Sequence, residues 1–476
     1  MRLTLVIPPF DQKKTFGGGV FNRGMLPPLG VGYLAAYVRP RGHTVVLIDS
    51  PLYDYDCAGA ADAIMRSKPD IVGMSVLTKC AHSAYALAKA LKQKDKSLPI
   101  IFGGAHVTSF FENIFKECPD VDYLIPGEGE ESLGELLDRL EKKQEVDDIK
   151  GLLVRLSDGT CIATAPRTPV KNLDALPSPD RDIYDNRLYV PLPNQNRQLP
   201  ATTVITSRGC PYGKCRFCYQ GGCYSSPYRR RSPENVVSEI DNLVQTLKVK
   251  EIIFWDDNFC VNYNWIERFC DLLDEKQLGI GWTVQGRVNT VSEKMLMRMA
   301  ASGCYNIYYG LESGSQEMLD FVQKGITLEQ SRNAVKWAKR AGMEIRGSVI
   351  FAMPSDTPEI SEQTIRFACE LNVDWMIFYP YHVQPGTFLG EIASDYGTIL
   401  QEQADMSSPS YVPKAYLDAE QISKLIKEAN RRYYLRPRYI LRTLWRIKNP
   451  YTLKSTIIAF FYWFSLVTKR IDKKNA

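Results

Sequence analysis

Residues 203–219 read Thr-Val-Ile-Thr-Ser-Arg-Gly-Cys-Pro-Tyr-Gly-Lys-Cys-Arg-Phe-Cys-Tyr. The β-branched run Thr203–Thr206 has the character of a buried strand. It leads directly into a loop that holds Cys210, Cys215 and Cys218, three thiols within nine residues. Thiolates bind soft metals and iron–sulfur clusters. A loop after a strand can turn three sulfurs inward, and Gly209 and Gly213 permit the backbone angles that such a turn needs. Three ligands on a four-iron cluster leave one iron open to another molecule. A structural zinc site competes with this reading; it normally takes four ligands, and Cys223 would be the fourth.

Working outward toward the C-terminus, the strand at 203 is the first of a βα series. Further apolar runs stand at Glu251–Trp255, Gly281–Val284, Ile307–Gly310, Gly347–Phe351 and Trp375–Tyr379, with helices such as Pro233–Leu247 and Leu328–Ala341 between them. Six parallel units over about 200 residues predict a partial (β/α)6 barrel of TIM type, short of the full eight. Active-site residues then belong at the C-terminal ends of the strands. Several polar motifs stand there: Phe254-Trp255-Asp256-Asp257-Asn258-Phe259, then Gln285, Arg287 and Asn289, then Gly310-Leu311-Glu312-Ser313-Gly314-Ser315. Adjacent carboxylates suit an active-site mouth, and equally a turn or a helix cap. Arg287 could pair with a carboxylate of a cofactor or substrate, or sit in a structural salt bridge.

Working outward toward the N-terminus, residues 1–150 repeat the βα rhythm. Leu3–Ile7, Thr44–Ile48, Ile71–Ser75, Ile100–Phe102 and Tyr123–Ile125 read as five buried parallel strands, with helices near 29–40, 57–67, 81–95, 109–116 and 131–142. The pattern predicts an α/β, doubly wound, Rossmann-like parallel sheet, whose ligands sit beyond the carboxyl ends of the strands. Those ends are small or polar: Ser75-Val76-Leu77-Thr78, Gly103-Gly104-Ala105-His106 and Gly127-Glu128-Gly129-Glu130. Small residues there let a large flat or phosphate-bearing ligand approach the backbone. A dinucleotide domain is the alternative, but no Gly-x-Gly-x-x-Gly follows the first strand; Phe16-Gly17-Gly18-Gly19 is only a glycine-rich loop. The stretch 151–195 begins with a hairpin turning at Asp158-Gly159 and continues as a proline-rich linker. The barrel then occupies 196–400, and 401–476 is a helical, basic extension without strand pattern.

The cysteine loop, the Glu312 motif and the preceding sheet together resemble the radical S-adenosylmethionine enzymes that carry a cobalamin-binding domain, and the resemblance covers nearly the whole chain. The common family spacing has three residues between the first two cysteines; this chain has four. The resemblance implies a [4Fe-4S] cluster on Cys210, Cys215 and Cys218, with S-adenosylmethionine chelating the open iron. One electron then cleaves the sulfonium to give methionine and a 5′-deoxyadenosyl radical, which abstracts a substrate hydrogen. It places Tyr219, Asp256, Asp257, Gln285, Arg287, Glu312 and Ser313 on the S-adenosylmethionine side. It places Ser75, Thr78, Gly103, Gly104, His106, Gly127 and Glu128 on the cobalamin side, where His106 and Glu128 have structural readings as well. Phe351-Ala352-Met353-Pro354 stands where the family has glycine, any residue, proline, with Ala352 in the glycine's place. The Asp-x-His-x-x-Gly cobalamin signature does not occur, so no lower axial histidine is expected. No single catalytic residue is singled out. The activity implied is methylation of an unactivated carbon; radical cyclisation, ring contraction or oxidation with the same cofactors is the alternative, and a zinc-stabilised binding protein a remote one.

Composition bounds the rest. With 476 residues, 45% hydrophobic and 24% charged, the chain has material for two or three domains, and its net charge of +5 is too mild to imply nucleic acid. Twelve scattered cysteines are not a disulfide framework, and the N-terminus lacks signal-peptide character, so a reducing cytoplasm is expected. The expected partners are a small-molecule substrate and an electron donor such as flavodoxin or ferredoxin. Residues 431–450 combine Arg431, Arg432, Arg436, Arg438, Arg442, Arg446 and Lys448 with Tyr433, Tyr434, Tyr439 and Trp445, and an apolar run follows at Ile457–Val467. That run is shorter than the roughly 20 residues needed to span a bilayer. It suits either a helix lying at a membrane surface, with a lipid or membrane-associated substrate, or a helix docked back on the barrel.

Overall fold

The alternation of apolar runs and helical patterns becomes two sheets in the computed structural model. It describes residues 1–10, 24–156, 158–192, 195–222, 226–400, 409–445, 447, 453, 456–458, 460 and 461. The chain forms two compact units, Met1–Gln12 with Pro27–Tyr189, and Lys13–Leu26 with Val190–Ala476.

In the first unit, strands β1 (Arg2–Ile7), β2 (Thr44–Asp49), β3 (Ile71–Ser75), β4 (Ile100–Gly103) and β5 (Tyr123–Ile125) pair in parallel in the order β2-β1-β3-β4-β5. Both faces are covered, so Leu3, Val6, Ile71, Val72, Ile100 and Phe102 are all buried, as a doubly wound sheet requires. Helices Leu29–Val38, Cys57–Arg66, Ala81–Lys94, Ala105–Glu117 and Glu130–Glu141 connect the strands. The fourth starts four residues before the expected 109, because Gly104, at φ 95°, turns the chain straight out of β4 into the helix. Strand order reverses between β1 and β3, the switch point at which such sheets bind ligands. The hairpin at Asp158-Gly159 forms β6 (Leu153–Arg155) and β7 (Cys161–Ala163), and it extends this same sheet: β6 pairs antiparallel with β5. The proline-rich stretch is strapped to the unit through Tyr189, whose hydroxyl donates to Asp49 Oδ2 at 2.8 Å, and Tyr184, whose hydroxyl donates to Pro28 O at 2.9 Å.

In the second unit, strands β8 (Ala201–Val204), β9 (Ser207–Arg208), β10 (Arg229–Arg230), β11 (Glu251–Phe254), β12 (Gly281–Gly286), β13 (Cys304–Glu312), β14 (Glu344–Phe351) and β15 (Trp375–Pro380) follow in order. Six of them make one parallel sheet, β15-β14-β13-β12-β11-β8, while β9 and β10 form a separate antiparallel ribbon. The first barrel strand lies two residues before the expected 203–206. The chain leaves the ladder after Val204 because the Thr206 N–H turns to the Asp256 carboxylate, 2.9 Å away. Outward-facing Phe254 and Trp282 meet Phe269 edge-on at 5.6 and 5.5 Å and Phe259 at a tilt at 4.8 and 5.7 Å, and seal the strands against the helices. Helix Pro233–Leu247 begins where the sequence says it should: Ser232 caps the Asn235 N–H and Pro233 occupies the first turn.

The expectation that 401–476 carries no strand is corrected. Tyr411–Pro413 (β17) pairs antiparallel with Gly397–Ile399 (β16), and Tyr411 is buried in the layer beneath. Helices Ala419–Tyr434 and Pro437–Trp445 follow, and the first docks on the barrel through the Tyr433 and Tyr434 hydroxyls, which donate to Val373 O and Met376 O at 2.6 Å each. Most of the apolar run Ile457–Val467 lies outside the described residues. Among the described residues no helix is long and apolar enough to cross a membrane.

Candidate functional site

The three cysteines lie on one loop after β9, and the loop is pinned by its own glycines and by the barrel. Gly209 has φ 81°, and a Cβ there would stand 2.6 Å from Ser226 O and 2.8 Å from Pro227 O, so only glycine fits. Gly213 turns the longer four-residue interval at φ 53°. Tyr212, in that interval, folds onto the barrel: its hydroxyl donates to Gln323 O at 2.8 Å, and the Arg287 guanidinium lies over its ring at 3.9 Å. Arg216, between the second and third cysteines, accepts from Leu389 N–H and donates its own N–H to Val322 O. Burial pushes the Cys215 thiol up while Lys324 and Arg287 pull it down; burial pushes Cys218 up to about 11. Buried thiols beside cations suit metal-bound thiolates, since coordination deprotonates sulfur outright. Among the described residues no three His, Cys, Asp or Glu side chains converge as a single-ion site requires. Cys223 lies outside them.

Around this loop the structure gathers the strand-end motifs. Asp256 is fully buried and accepts from the Thr206 N–H, the Thr206 hydroxyl at 2.8 Å and the Ser207 hydroxyl at 2.5 Å, so it holds the start of the cysteine loop. Burial pushes its carboxyl up, against the pull of Arg230. Asp257 is exposed and accepts from Gln220 Nε2 at 3.0 Å, and the Tyr219 hydroxyl donates to Gln384 Oε1 at 2.6 Å. On β12, Trp282 and Val284 pack in the core shared with the helices, which leaves Thr283 and Gln285 on the other face of the strand, and Arg287 follows directly after its end. Arg287 is buried, and its donors reach Asn289 Oδ1 at 3.3 Å, Cys215 Sγ at 3.6 Å and Lys324 O.

Strand β13 ends in a bulge between Gly310 and Glu312, and Glu312 takes φ 60°, a conformation L side chains rarely adopt. Its carboxylate is buried and bonds Lys324 Nζ at 2.5 Å. A Cβ on Gly310 would overlap that carboxylate. Ser313 is buried within the turn, where its hydroxyl meets Thr364 Oγ1 at 3.2 Å and accepts from the Ser315 N–H at 3.1 Å. After β14, Ala352 has φ 59°, the angle the family's glycine would take freely. Asp356 holds it there by accepting the Ala352 N–H at 2.6 Å, and burial pushes the Asp356 carboxyl up to about 7.

In the first unit, Ser75, Gly103 and Gly127 stand at or just beyond the carboxyl ends of β3, β4 and β5. A Cβ on Gly127 would meet nothing within 4 Å, and one on Gly103 only Ile125 O at 3.5 Å. Bare backbone there is a cradle that a flat ligand can reach. Gly104 is required for a different reason, since a Cβ would stand 2.9 Å from Val76 O. His106 is buried, with Nδ1 3.3 Å from the Thr78 hydroxyl and Nε2 3.0 Å from the Tyr85 hydroxyl, and burial pushes its pKa down. Both ring nitrogens are therefore occupied by the protein. The Gly127 N–H donates to Thr108 Oγ1 at 2.9 Å, and Glu128 is half-buried beside it.

Lys324, Tyr212, Gln220, Gln384 and Asp356 were not singled out by the sequence. Lys324 sits in a loop without a motif, where only Gly325 beside it signals a turn; Gln384 directly precedes Pro385-Gly386-Thr387, a motif after the sixth strand that resembles the family's. Asp356 was signalled by its neighbours, since an alanine in a glycine's place needs something to hold it.

Two family models match the chain: the radical S-adenosylmethionine superfamily over residues 204–368 and the B12-binding domain over 23–137. An uncharacterized methyltransferase of Pyrococcus horikoshii is 35% identical over 451 residues, covering 93% of this chain and 95% of the relative. The anaerobic magnesium-protoporphyrin IX monomethyl ester cyclase of Rubrivivax gelatinosus is 29% identical over 390 residues, covering 80% and 68%. Among solved structures, the radical S-adenosylmethionine methyltransferase TsrM from Kitasatospora setae, with cobalamin and a [4Fe-4S] cluster bound, superposes with a TM-score of 0.66 at 17% identity. It covers 83% of this chain and 75% of TsrM, a likeness of fold.

Proposed function

We propose that this chain, which belongs to the radical S-adenosylmethionine superfamily and carries its B12-binding domain, transfers a methyl group to an unactivated carbon of a small-molecule substrate. The single observation that carries the methyl-transfer reading is the relative of 35% identity, named a methyltransferase, that this chain matches over 95% of its length. When bound, the cluster and S-adenosylmethionine supply a carbon radical, and cobalamin supplies a transferable methyl group. The chain's own residues bind and orient them. Cys210, Cys215 and Cys218 hold the cluster. Tyr219, Asp257, Gln285 and Glu312 form the S-adenosylmethionine side, while Asp256, Arg287 and Ser313 act by positioning the cysteine loop and the β13 turn. Ser75, Thr78, Gly103, Gly104, Gly127 and Glu128 form the cobalamin side, with His106 fixing Thr78. The electron comes from a low-potential donor of flavodoxin or ferredoxin type, and the basic, aromatic tail supports a lipid or membrane-associated substrate. The similarity to the cyclase favours a second reading, radical cyclisation or oxidation with the same cofactors.

The test is anaerobic reconstitution followed by incubation with methyl-deuterated S-adenosylmethionine and a small-molecule extract of the source cells. Label in an extracted product supports methyl transfer. A changed product without label supports the second reading. Protein that contains zinc and neither iron nor labile sulfide overturns both.

A further inference from the structure

Among the described residues, helix Pro437–Trp445 is docked through one face and left open on the other. On the docked face Tyr439 is buried, and its hydroxyl donates to Asp374 O at 2.8 Å. Arg442 donates from Nη1 to Asn372 O at 2.7 Å and from Nη2 to Val373 O at 2.6 Å, and Arg436 donates to Cys369 O at 2.5 Å. The opposite face carries Ile440, Leu441, Leu444 and Trp445, whose spacing makes one apolar stripe. Leu441, Leu444 and Trp445 are 65%, 58% and 87% exposed. Of the nineteen large apolar side chains most exposed among the described residues, nine fall between Leu435 and Phe461. That concentration is not the scatter of single apolar residues normal on a protein surface.

The charge is as lopsided as the apolar area. Residues 431–476 hold twelve Lys and Arg against one acidic residue, Asp472, while the preceding 430 residues hold 47 against 53. A basic segment thus ends a chain that is otherwise acidic. Arg438, on the helix itself, and Arg431, on the helix before it, are exposed. Nucleic acid would meet the charge and leave the leucines and tryptophan in water. A groove on another protein would bury the leucines without needing so one-sided an excess of cations. An anionic bilayer satisfies both: cations meet lipid phosphates, and Leu and Trp enter the interface.

We propose that helix Pro437–Trp445, with the basic segment around it, docks the protein peripherally on an anionic lipid bilayer. The docking does not depend on what the substrate is. Residues 369–374, which hold the helix, precede β15, and so lie at the N-terminal end of the barrel strands. The cysteine loop and the Glu312 turn stand at the other end, about 20 Å away along a six-residue strand. The helix is therefore an attachment at the end of the barrel opposite the cysteine loop. It places the enzyme near a membrane while the mouth faces away from the attachment.

The test uses the reconstituted full chain in sedimentation with vesicles of phosphatidylcholine alone and of phosphatidylcholine mixed with phosphatidylglycerol. Binding is expected on the anionic vesicles, roughly tenfold or more weaker on the neutral ones, and weakened by salt as the Debye length shortens. The double variant Leu441→Glu/Leu444→Glu is expected to lose roughly tenfold or more in binding, with its cluster absorbance and thermal midpoint unchanged. Both positions are exposed, so the variant does not disturb the core. Three results overturn the proposal: no binding to anionic vesicles, equal binding by the variant, or a wild-type dimer that the variant makes monomeric, which would give the face to a second copy. Vesicle binding without label transfer to product leaves this inference standing and removes the methyl-transfer reading; label transfer without vesicle binding does the reverse.

Discussion

Lys324 and Glu312 form a buried ion pair at the end of β13, and breaking it from one side should be felt throughout the barrel. Their side chains are only 10% and 8% exposed, and the 2.5 Å ion pair is the contact that answers the Glu312 carboxylate. Glu312 also holds a left-handed backbone angle at a bulge, which costs about 1–3 kcal/mol and persists only where neighbours fix it. In Lys324→Met the carboxylate stays buried without its cation. Breaking a buried pair from one side costs about 3–5 kcal/mol, because the remaining charge is uncompensated. For a unit of this size, at about 2 °C per kcal/mol, the thermal midpoint should fall by about 6–10 °C. The double variant Glu312→Gln/Lys324→Met removes both charges, so it should be more stable than Lys324→Met alone. Thermal scans of the four proteins of this cycle, read by circular dichroism under anaerobic conditions, give the coupling directly. The reasoning is refuted if Lys324→Met lies within about 1 kcal/mol of the parent, the value of a surface pair, or if the two single losses simply add in the double variant.

Three further outcomes follow from the same geometry. Cys210→Ala, Cys215→Ala and Cys218→Ala should each abolish bound iron and labile sulfide after reconstitution, while Cys223→Ala should keep both; chemical iron and sulfide assays read this, and full iron in any of the first three removes that residue as a ligand. Gly209→Ala should also fail to assemble the cluster, because a Cβ there would stand 2.6 Å from Ser226 O, a backbone atom that cannot swing aside. Burial pushes the Asp356 carboxyl up to about 7 from its ordinary 3.8, so the folded state binds the extra proton between those values. Stability should therefore fall as pH rises from about 4 to about 7, and Asp356→Asn should flatten that slope; an unchanged slope in the variant, measured by urea melts across this range, would sink the assignment.

What could be read in the sequence was whatever the chain settles locally. Helix Pro233–Leu247 was legible to the residue because its cap, its first-turn proline and its apolar face all lie within one segment. The βα rhythm, the strand ends and the thiols of the cysteine loop were legible for the same reason. What stayed hidden depends on partners far along the chain. Arg287 stood out as a residue, but its donors are aimed by Cys215, Lys324 and Asn289, and only the barrel brings the first two together with it. His106 looked as much like a ligand contact as a core histidine until Tyr85 and Thr78, from a neighbouring segment, filled both nitrogens. The pairing of β6 with β5 and of β17 with β16 was equally invisible, since three-residue strands carry too little alternation to declare themselves. The tail shows the converse. Its charge and aromatic content were plain, yet they fitted a bilayer and the barrel equally. The structure divides them: Arg436, Tyr439 and Arg442 go to the barrel, and Leu441, Leu444 and Trp445 are left to solvent. One helix thus divides its side chains between two opposite faces, and only the register of its docking decides which residue belongs to which.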